Sequence, residues 1–493
     1  MPIRVKIVGG TVAPALAACA ALALGTCSCA EPWTVHAPAG APRGTVLRCD
    51  VPARCESICG FVPGGGLAVW TFDGKLVVCD AATGRRTFDR PLPDATMPGP
   101  FHAATGRLVL LGPRSAELWD LAAPPRRLLR TDGSRPGRAA LSRGGGLLAL
   151  GDYSLNVYDA ASGRLLHEIK PPPDPDTGHD RGIGDVAFSG DGKLLAATLR
   201  GRETQLALWR AADGKRLSTF GLSVPGERVY QFDVLGLSFD GGMAVVRETH
   251  YLPQPSGHRD VIAVAGGGAS RAAGPVRMGS SALVCDTASG RQVLHLSSRV
   301  TLAEAGRLLV EWPEGKAEMH VHDLAAGRKL RTIAACNQPA VAAGVLAAAM
   351  PLDRPSQRHR DFGFWELASG RQVASVTVED WYASAEALSG DGRVLLLDSS
   401  WRLCAVDRDS GRKLVELDPK RHLDRVWRFV QPTFSPDGRR LAFVHDAQVG
   451  IVDLAKLRPP PADRSAAGNG PPAGNDPPVG NDSPAGNGPA VGW

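Results

Sequence analysis

A ten-residue block that recurs along most of the chain limits the possible fold more than any other feature. The full block runs from an apolar strand through an acidic residue, three further residues, a glycine and a basic residue into a second strand, as in VVCDAATGRR. Self-similarity of this kind predicts one array of like units rather than several unrelated domains. Nine copies occur, with their acidic position at Asp80, Asp120, Asp159, Arg210 (a departure), Asp286, Asp323, Glu366, Asp407 and Asp453.

The glycine of the block marks a tight turn between the two strands. A type I turn followed by a left-handed residue explains its fixed place, because only glycine adopts positive φ without steric cost and the preceding Asp can accept bonds from turn amides. The glycine follows the acidic position by four residues in seven copies, at Gly84, Gly163, Gly214, Gly290, Gly327, Gly370 and Gly411.

A second block precedes the first in most units and supplies two more strands. It reads FSGDGKLLAAT over 188–198 and FSPDGRRLAFV over 434–444, each an apolar strand, a glycine turn and another apolar strand. Each unit therefore holds four short antiparallel strands, here called a, b, c and d, and many such units in series are typical of a β-propeller. We predict an all-β chain whose residues 31–458 form a single propeller of eight or nine four-stranded blades.

The last unit indicates how such a ring would close. It has no d strand after Asp453, whereas the stretch TVLRCDV at 45–51 stands apart from the other units. An N-terminal strand that completes the last blade would remove two exposed sheet edges. We therefore expect the ring to be closed by this strand.

These repeats resemble the WD40 family and the propeller repeats of bacterial TolB-type periplasmic proteins. Gly178-His179 stands nine residues ahead of Phe188, Trp209 takes the WD40 tryptophan position, and one literal Trp-Asp pair occurs at Trp119-Asp120. The block also resembles that of quinoprotein propellers, which hold pyrroloquinoline quinone. Such resemblance implies the fold, while function depends on the sites that a fold carries.

The two ends of the chain do not fit the repeat. Residues 1–30 have basic residues ahead of an uncharged apolar stretch and small residues before a cleavage point after Ala30, which predicts an export signal. The sequence LGTC ending at Cys27 resembles a lipobox, so a lipid anchor at Cys27 and an uncleaved anchor stay open as alternatives. Residues 459–493 repeat Gly-Asn pairs among Pro, Ala and Asp, and we expect a disordered tail because little can be buried there.

Charge and cysteine content limit the compartments and the classes of partner that the sequence predicts. The net charge of +6 is spread along the chain with no run of five basic residues, so we expect no nucleic-acid partner. Beyond the signal, no stretch is apolar enough to span a membrane. Cys49, Cys55 and Cys59 cluster near the start of the predicted propeller, where export would permit a disulfide, and the pairing among them stays open.

Nearly all long loops are predicted on one face of the ring. Because the strands of a blade are antiparallel, the b–c and d–a connections share a face, here called the b–c/d–a face, opposite the short a–b and c–d turns. Binding residues accumulate on scaffold loops, and this face is rich in cations, so we expect it to bind a protein partner or an anionic ligand. Its candidate residues are Arg200, Arg202, His258, Arg259, Arg354, Arg358, Arg360, Arg421 and Arg425.

Motifs for catalysis are missing from the sequence, which has no G-x-S-x-G, P-loop or H-E-x-x-H pattern. His320 and His322 would lie on one face of a strand, but no third ligand is close in sequence, so we expect packing rather than metal binding. We predict no catalytic residue, metal or cofactor, and a monomeric, exported, non-enzymatic scaffold at the periplasm or cell envelope. The alternative is a quinoprotein-like oxidoreductase.

Overall fold

The computed structural model describes fifteen stretches of the chain. The predicted signal with Cys27 and the predicted tail lie outside them. No helix in these stretches has the length and apolar character needed to cross a bilayer. The described residues are 33–36, 46–92, 96–122, 124–132, 138–174, 178–201, 203–222, 229–252, 277–313, 315–351, 359–379, 383–399, 402–419, 430–445 and 447–457.

Nearly all regular structure in the described residues is β-strand. Two strands precede the repeats, β1 (Trp33–His36) and β2 (Val46–Arg48). Blades 1 to 3 contain β3 (Cys55–Val62), β4 (Gly66–Thr71), β5 (Lys75–Asp80) and β6 (Arg86–Pro91); β7 (Met97–His102), β8 (Arg107–Leu111), β9 (Ser115–Asp120) and β10 (Arg126–Asp132); and β11 (Arg138–Leu141), β12 (Leu147–Gly151), β13 (Leu155–Asp159) and β14 (Leu165–Ile169).

Blades 4 to 6 follow the same plan, with one single-turn 3-10 helix at Glu304–Gly306 between strands a and b of blade 6. Their strands are β15 (Gly182–Phe188), β16 (Leu194–Arg200), β17 (Gln205–Arg210) and β18 (Arg216–Gly221); β19 (Val229–Leu237), β20 (Met243–Leu252), β21 (Arg277–Asp286) and β22 (Gln292–Leu296); and β23 (Arg299–Ala303), β24 (Leu308–Trp312), β25 (Met319–Asp323) and β26 (Arg328–Ile333).

Blades 7 to 9 complete the ring, and a second 3-10 turn at Leu454–Lys456 ends it. Their strands are β27 (Cys336–Ala342), β28 (Val345–Ala349), β29 (Arg360–Glu366) and β30 (Gln372–Val378); β31 (Ser384–Leu388), β32 (Val394–Ser399), β33 (Arg402–Asp407) and β34 (Lys413–Pro419); and β35 (Val430–Phe434), β36 (Arg440–His445) and β37 (Gln448–Asp453). The predicted all-β propeller is confirmed, and the blade number is nine.

The ring closes through the N-terminal strand that the sequence predicted. Strand β2 pairs antiparallel with β37, with Val46 opposite Val452, and so becomes strand d of blade 9. The amide of Asp50 then donates to the carbonyl of Gly84 in blade 1 over 2.8 Å, which ties the closing segment to the next blade. Strand β1 was not predicted: it pairs with β34 and gives blade 8 a fifth strand.

The c–d turns have the chemistry that their repeat implies. Gly163 has φ +73°, and its amide donates to the carbonyl of Asp159 over 2.8 Å. Oδ1 of Asp159 accepts from the amides of Ala161 and Ser162 at 3.0 and 2.8 Å. Positive φ recurs at the other six turn glycines, Gly84, Gly214, Gly290, Gly327, Gly370 and Gly411. The turn at Asp159 is thus held by its own side chain.

The hydrophobic core lies between blades rather than inside one layer. Strands b and c are apolar on both faces, as in LAVW and LVVC of blade 1, and each face packs on a neighbouring blade. Nine clusters of buried side chains result, one at each seam of the ring. Burial on both faces explains why these strands read as continuous apolar runs instead of alternating.

Candidate functional site

Two of the nine cationic residues predicted for the b–c/d–a face lie in the described part of the chain. Arg200 is exposed at the end of strand b of blade 4. Arg360 is half-buried, and its Nη2 lies 3.2 Å from Sγ of Cys336. Arg360 thus turns toward its own blade rather than into solvent. Outside the described residues lie Arg202, His258, Arg259, Arg354, Arg358, Arg421 and Arg425.

The described connections of this face carry both signs of charge. Asp73, Asp152, Glu203 and Glu318 all lie in b–c connections, so acidic residues share this face with the predicted cations. Asp73 is paired with Lys75, its Oδ2 lying 2.6 Å from the lysine nitrogen. Mixed, locally paired charges of this kind suit a polar interface rim more than a uniformly anionic ligand.

Exposed apolar side chains distinguish the same face. Among large apolar residues in the described chain, the three most exposed are Phe72, Met97 and Tyr153, at 64, 65 and 66 %. Phe72 and Tyr153 sit in the b–c turns of blades 1 and 3, and Met97 begins strand a of blade 2. Three consecutive blades therefore each present one such side chain on the b–c/d–a face.

The turn that carries Phe72 is held in one conformation. The amide of Phe72 donates to the carbonyl of Arg54 over 2.9 Å, and the guanidinium of Arg54 lies 5.9 Å from the centre of the phenyl ring. The hydroxyl of Thr71 also donates to Oδ1 of Asp73 over 2.6 Å. An aromatic side chain on a fixed turn loses little conformational entropy when a partner covers it.

Cavities open on the opposite face, which carries the a–b turns. One of about 990 Å³ lies among the a–b turns of blades 3 to 7, where the guanidinium of Arg307 sits 4.7 Å from the ring centre of Phe239. A second, of about 600 Å³, is lined by the strands a of blades 2 to 6. Five of the thirteen residues around the first are glycines, and four are charged: Arg143, Asp191, Glu304 and Arg307.

Blade 6 contains a cluster of one carboxylate and two imidazoles. Oε2 of Glu311 lies 3.0 Å from Nδ1 of His320 and 3.0 Å from Nε2 of His322. The hydroxyl of Ser298 donates to Oε1 of Glu311 over 2.6 Å. Burial by itself would raise the pKa of Glu311, but the hydrogen bonds from His322, Ser298 and His320 outweigh it and lower the pKa to about 2.

The predicted thiol cluster divides in the structure. The seven described cysteines are all free thiols. Cys49 packs with Cys79 and Cys55 in the core between blades 9 and 1, and Cys59 lies against the core between blades 1 and 2. Cys79, which the sequence places inside a strand of blade 1, is thus the neighbour of Cys49.

Sequence reasoning missed both the exposed apolar residues and Glu311. An aromatic residue at the tip of a polar turn, as in TFDGK and DYSL, is the signal that marks Phe72 and Tyr153. Glu311 is nine positions ahead of His320, on the other strand of a hairpin. Only the register of that hairpin brings the two side chains together.

Comparison with known proteins informs only the description of the fold. No family model and no curated protein sequence matches the chain. Solved structures similar to it include a computationally designed protein, Ika8 (14 % identity, 76 % of this chain and 98 % of that one, TM-score 0.41), and dihydro-heme d1 dehydrogenase NirN in complex with DHE (16 %, 78 % and 77 %, 0.43). The C-terminal WD40 domain of Sif2 is another (12 %, 71 % and 92 %, 0.40). WD40 domains are thus among its structural neighbours, and the nine-bladed topology itself defines the propeller.

Proposed function

We propose that this chain is an exported, non-enzymatic scaffold that binds a protein partner through the b–c/d–a face. The observation that carries the proposal is the exposure of Phe72, Met97 and Tyr153 on that face of three consecutive blades. Aromatic residues, Met and Arg are the types enriched at protein interfaces. Mixed charges around them fit a polar rim, and the rigid turn of Phe72 reduces the entropy lost on binding.

The choice of a protein over a small ligand follows from shape. Small-molecule sites are concave and enclose most of their ligand, whereas these three side chains project from turns and a strand start. A protein partner can cover several such projections at once. The export signal predicted over 1–30 and the resemblance of the repeats to those of TolB-type proteins support a place in the periplasm or cell envelope. We propose that the chain acts there as a monomer.

The test is a quantitative pull-down from native envelope extract with a triple variant, Phe72→Ser, Met97→Ser and Tyr153→Ser. The matched control is Leu165→Ser, Leu217→Ser and Val373→Ser, which removes three exposed apolar side chains from outer strands instead. We expect the first variant to lose a partner that the control and the unchanged chain retain. Equal recovery by all three proteins would count against the proposed face.

The same preparation tests the enzymatic alternative. A quinoprotein would show a quinone absorbance band or a dye-linked dehydrogenase activity that requires added pyrroloquinoline quinone. Such activity would contradict the scaffold proposal and favour a quinoprotein-like oxidoreductase. We expect neither signal.

A further inference from the structure

We propose that Glu311, His320 and His322 form a binding site for one divalent transition-metal ion, with Zn²⁺ as the best match. Their donor atoms, Oε2, Nδ1 and Nε2, all lie within 4.8 Å of one another. Two imidazoles and a carboxylate are an established ligand set for zinc, which then keeps one position of its tetrahedron for water. The site goes beyond the proposed partner binding and does not depend on it.

The distances from the carboxylate oxygen to the two ring nitrogens are close to those that an ion requires. Both nitrogens lie 3.0 Å from Oε2 of Glu311. Bonds of about 2.0–2.1 Å to a tetrahedral zinc place neighbouring donors about 3.3 Å apart. An opening of about 0.3 Å at each of these two contacts, with the two ring nitrogens brought to a similar spacing, would therefore admit the ion. The ring nitrogens lie within 4.8 Å of each other. Side-chain torsions can supply these shifts without a change in the strands.

The hairpin of strands b and c fixes this geometry. Glu311 and His320 are directly opposite in the antiparallel register of β24 and β25. His322 is two residues further along β25 and thus points to the same side of the sheet. All three donors come from the sheet itself, which holds side chains more precisely than a loop does.

Outer contacts support two of the three ligands, Glu311 and His320, whereas Nδ1 of His322 is buried with no hydrogen-bond partner. Ser298 occupies Oε1 of Glu311, so Oε2 stays directed at the two imidazoles. Oε1 of Glu318 lies 3.6 Å from Nε2 of His320, the ring nitrogen opposite the proposed ligand atom. At that distance Glu318 is an ion-pair partner of the ring rather than a hydrogen-bond acceptor, and its charge favours a proton on Nε2, which leaves the Nδ1 lone pair for the metal.

Burial shields the three ligands from water, while one of them still contacts solvent. The side chains of Glu311, His320 and His322 are 8, 16 and 6 % exposed. His320 therefore reaches solvent at the end of the hairpin, whereas the other two ligands are almost fully shielded from solvent. A site of this kind excludes bulk water from the ion and can still be loaded from outside.

A neighbouring blade offers a natural comparison. In blade 5, Nε2 of His295 lies 2.7 Å from Oε1 of Glu248, and Ser281 donates to the same oxygen. That group has one imidazole instead of two and is not among the described clusters that could hold an ion. His295→Ala therefore removes a carboxylate-bound histidine without touching the proposed site.

The experiment uses the full chain, freed of metal with a chelator and titrated with Zn²⁺ alone in competition with a chromophoric chelator. We expect one equivalent to bind tightly, and Co²⁺ in its place to give the visible bands of a four- or five-coordinate ion. His320→Ala and Glu311→Gln should each weaken binding by more than the ~10–100-fold that loss of an outer contact costs, and Ser298→Ala by about that amount. His295→Ala should bind as the unchanged chain does.

Two results would overturn the proposal. One is the absence of a stoichiometric equivalent. The other is unchanged binding by both His320→Ala and Glu311→Gln, which would assign the metal to other histidines. Circular dichroism of each variant checks folding, and Glu311→Gln, which keeps the size of the side chain, decides the matter if His320→Ala does not fold.

Discussion

Nη2 of Arg181 lies 3.4 Å from Oδ2 of Asp174, and the two side chains are only 3 and 6 % exposed. This buried ion pair lies within the connection between blades 3 and 4 and joins its middle to its last residue before β15. Nη1 of Arg181 also donates to the carbonyl of Glu203 over 3.3 Å, which links the connection to the b–c turn of blade 4. The connection thus uses its first aspartate to hold an arginine.

Loss of this aspartate should destabilise the propeller strongly. Asp174→Ala leaves the guanidinium of Arg181 buried without its counter-charge, which costs about 3–5 kcal/mol of unfolding free energy. Urea unfolding followed by circular dichroism measures the loss. The double variant Asp174→Leu with Arg181→Met should recover most of it, since no charge then remains buried. A single variant as stable as the double would contradict this account.

Two turn glycines with like φ values should respond differently to alanine. Gly163 and Gly411 have φ +73° and +66°. A Cβ at Gly411 would have only Val376 nearby, at 3.9 Å, whereas one at Gly163 would lie 2.3 Å from the carbonyl oxygen of Leu128. We expect Gly411→Ala to cost about 1–2 kcal/mol through left-handed strain alone, and Gly163→Ala at least about 1 kcal/mol more. Paired thermal melts test the difference, and equal losses would refute it.

Removal of the closing strand should weaken the ring more than removal of β1. Deleting residues 1–48 leaves the edge of β37 unpaired, and three paired residues at about 1 kcal/mol each suggest a loss of about 3 kcal/mol. The exposed edge should also promote association, visible by analytical ultracentrifugation. Deleting 1–40 is the control, because it removes only the fifth strand of blade 8. Equal behaviour of the two truncations would argue against closure through β2.

Acid should destabilise the chain partly through Asp407. Burial would raise the pKa of this fully buried carboxylate, but hydrogen bonds from Arg393 at 2.7 Å and from Ser410 lower it below its ordinary value. The unfolded chain therefore binds the proton first, so this contribution is present above about pH 4 and is lost as pH falls through the lower folded value.

The variant Asp407→Asn isolates that contribution. It should lower stability at pH 7 by about 1.5–3 kcal/mol and flatten the decline of the urea midpoint between pH 5 and pH 3 (about one unit either side of the carboxyl range). An unaltered pH profile in this variant would show that other carboxylates dominate acid unfolding.

Three thiols should resist alkylation while the chain is folded. Burial raises the pKa of Cys55 and Cys59 to about 12 and that of Cys285 to about 11. At pH 8 these groups stay protonated, and the thiolate is the reactive form. Mass spectrometry after iodoacetamide should find them unmodified in native protein and modified after denaturation. Rapid native labelling of Cys55 or Cys285 would contradict their buried placement, and half-buried Cys59 is the one of the three most open to slow labelling.

The fold was predictable because its information is local. Each c–d turn is specified within five residues, so the nine c strands and the missing d strand of blade 9 could be read from the sequence. Strand β1 carries no turn motif, and its four residues pair with β34 some 380 positions away, where a free edge rather than a local signal selects the partner. Local patterns cannot report such pairing.

The candidate sites were less predictable for the same reason. The spacing of His320 and His322 is visible in the sequence, but their carboxylate partner depends on a hairpin register. The cations predicted on the loops show that sequence does not determine where a side chain points. Arg360 has polar neighbours in sequence, yet its guanidinium contacts Cys336 of the same blade. Exposure of Phe72 and Tyr153 depends on which way a turn projects, and that is fixed only when the blades assemble.

Closure through β2 also sets an order of events during synthesis. Val46 pairs with Val452, which is synthesised about 400 positions later. At about 5–20 residues per second the ribosome needs roughly 20–80 s to make that stretch. For that time the first blade has an uncovered flank and the closing segment has no sheet to join. The nascent chain therefore remains an open arc for most of its synthesis, and the ring can close only when nearly all of the chain has been made.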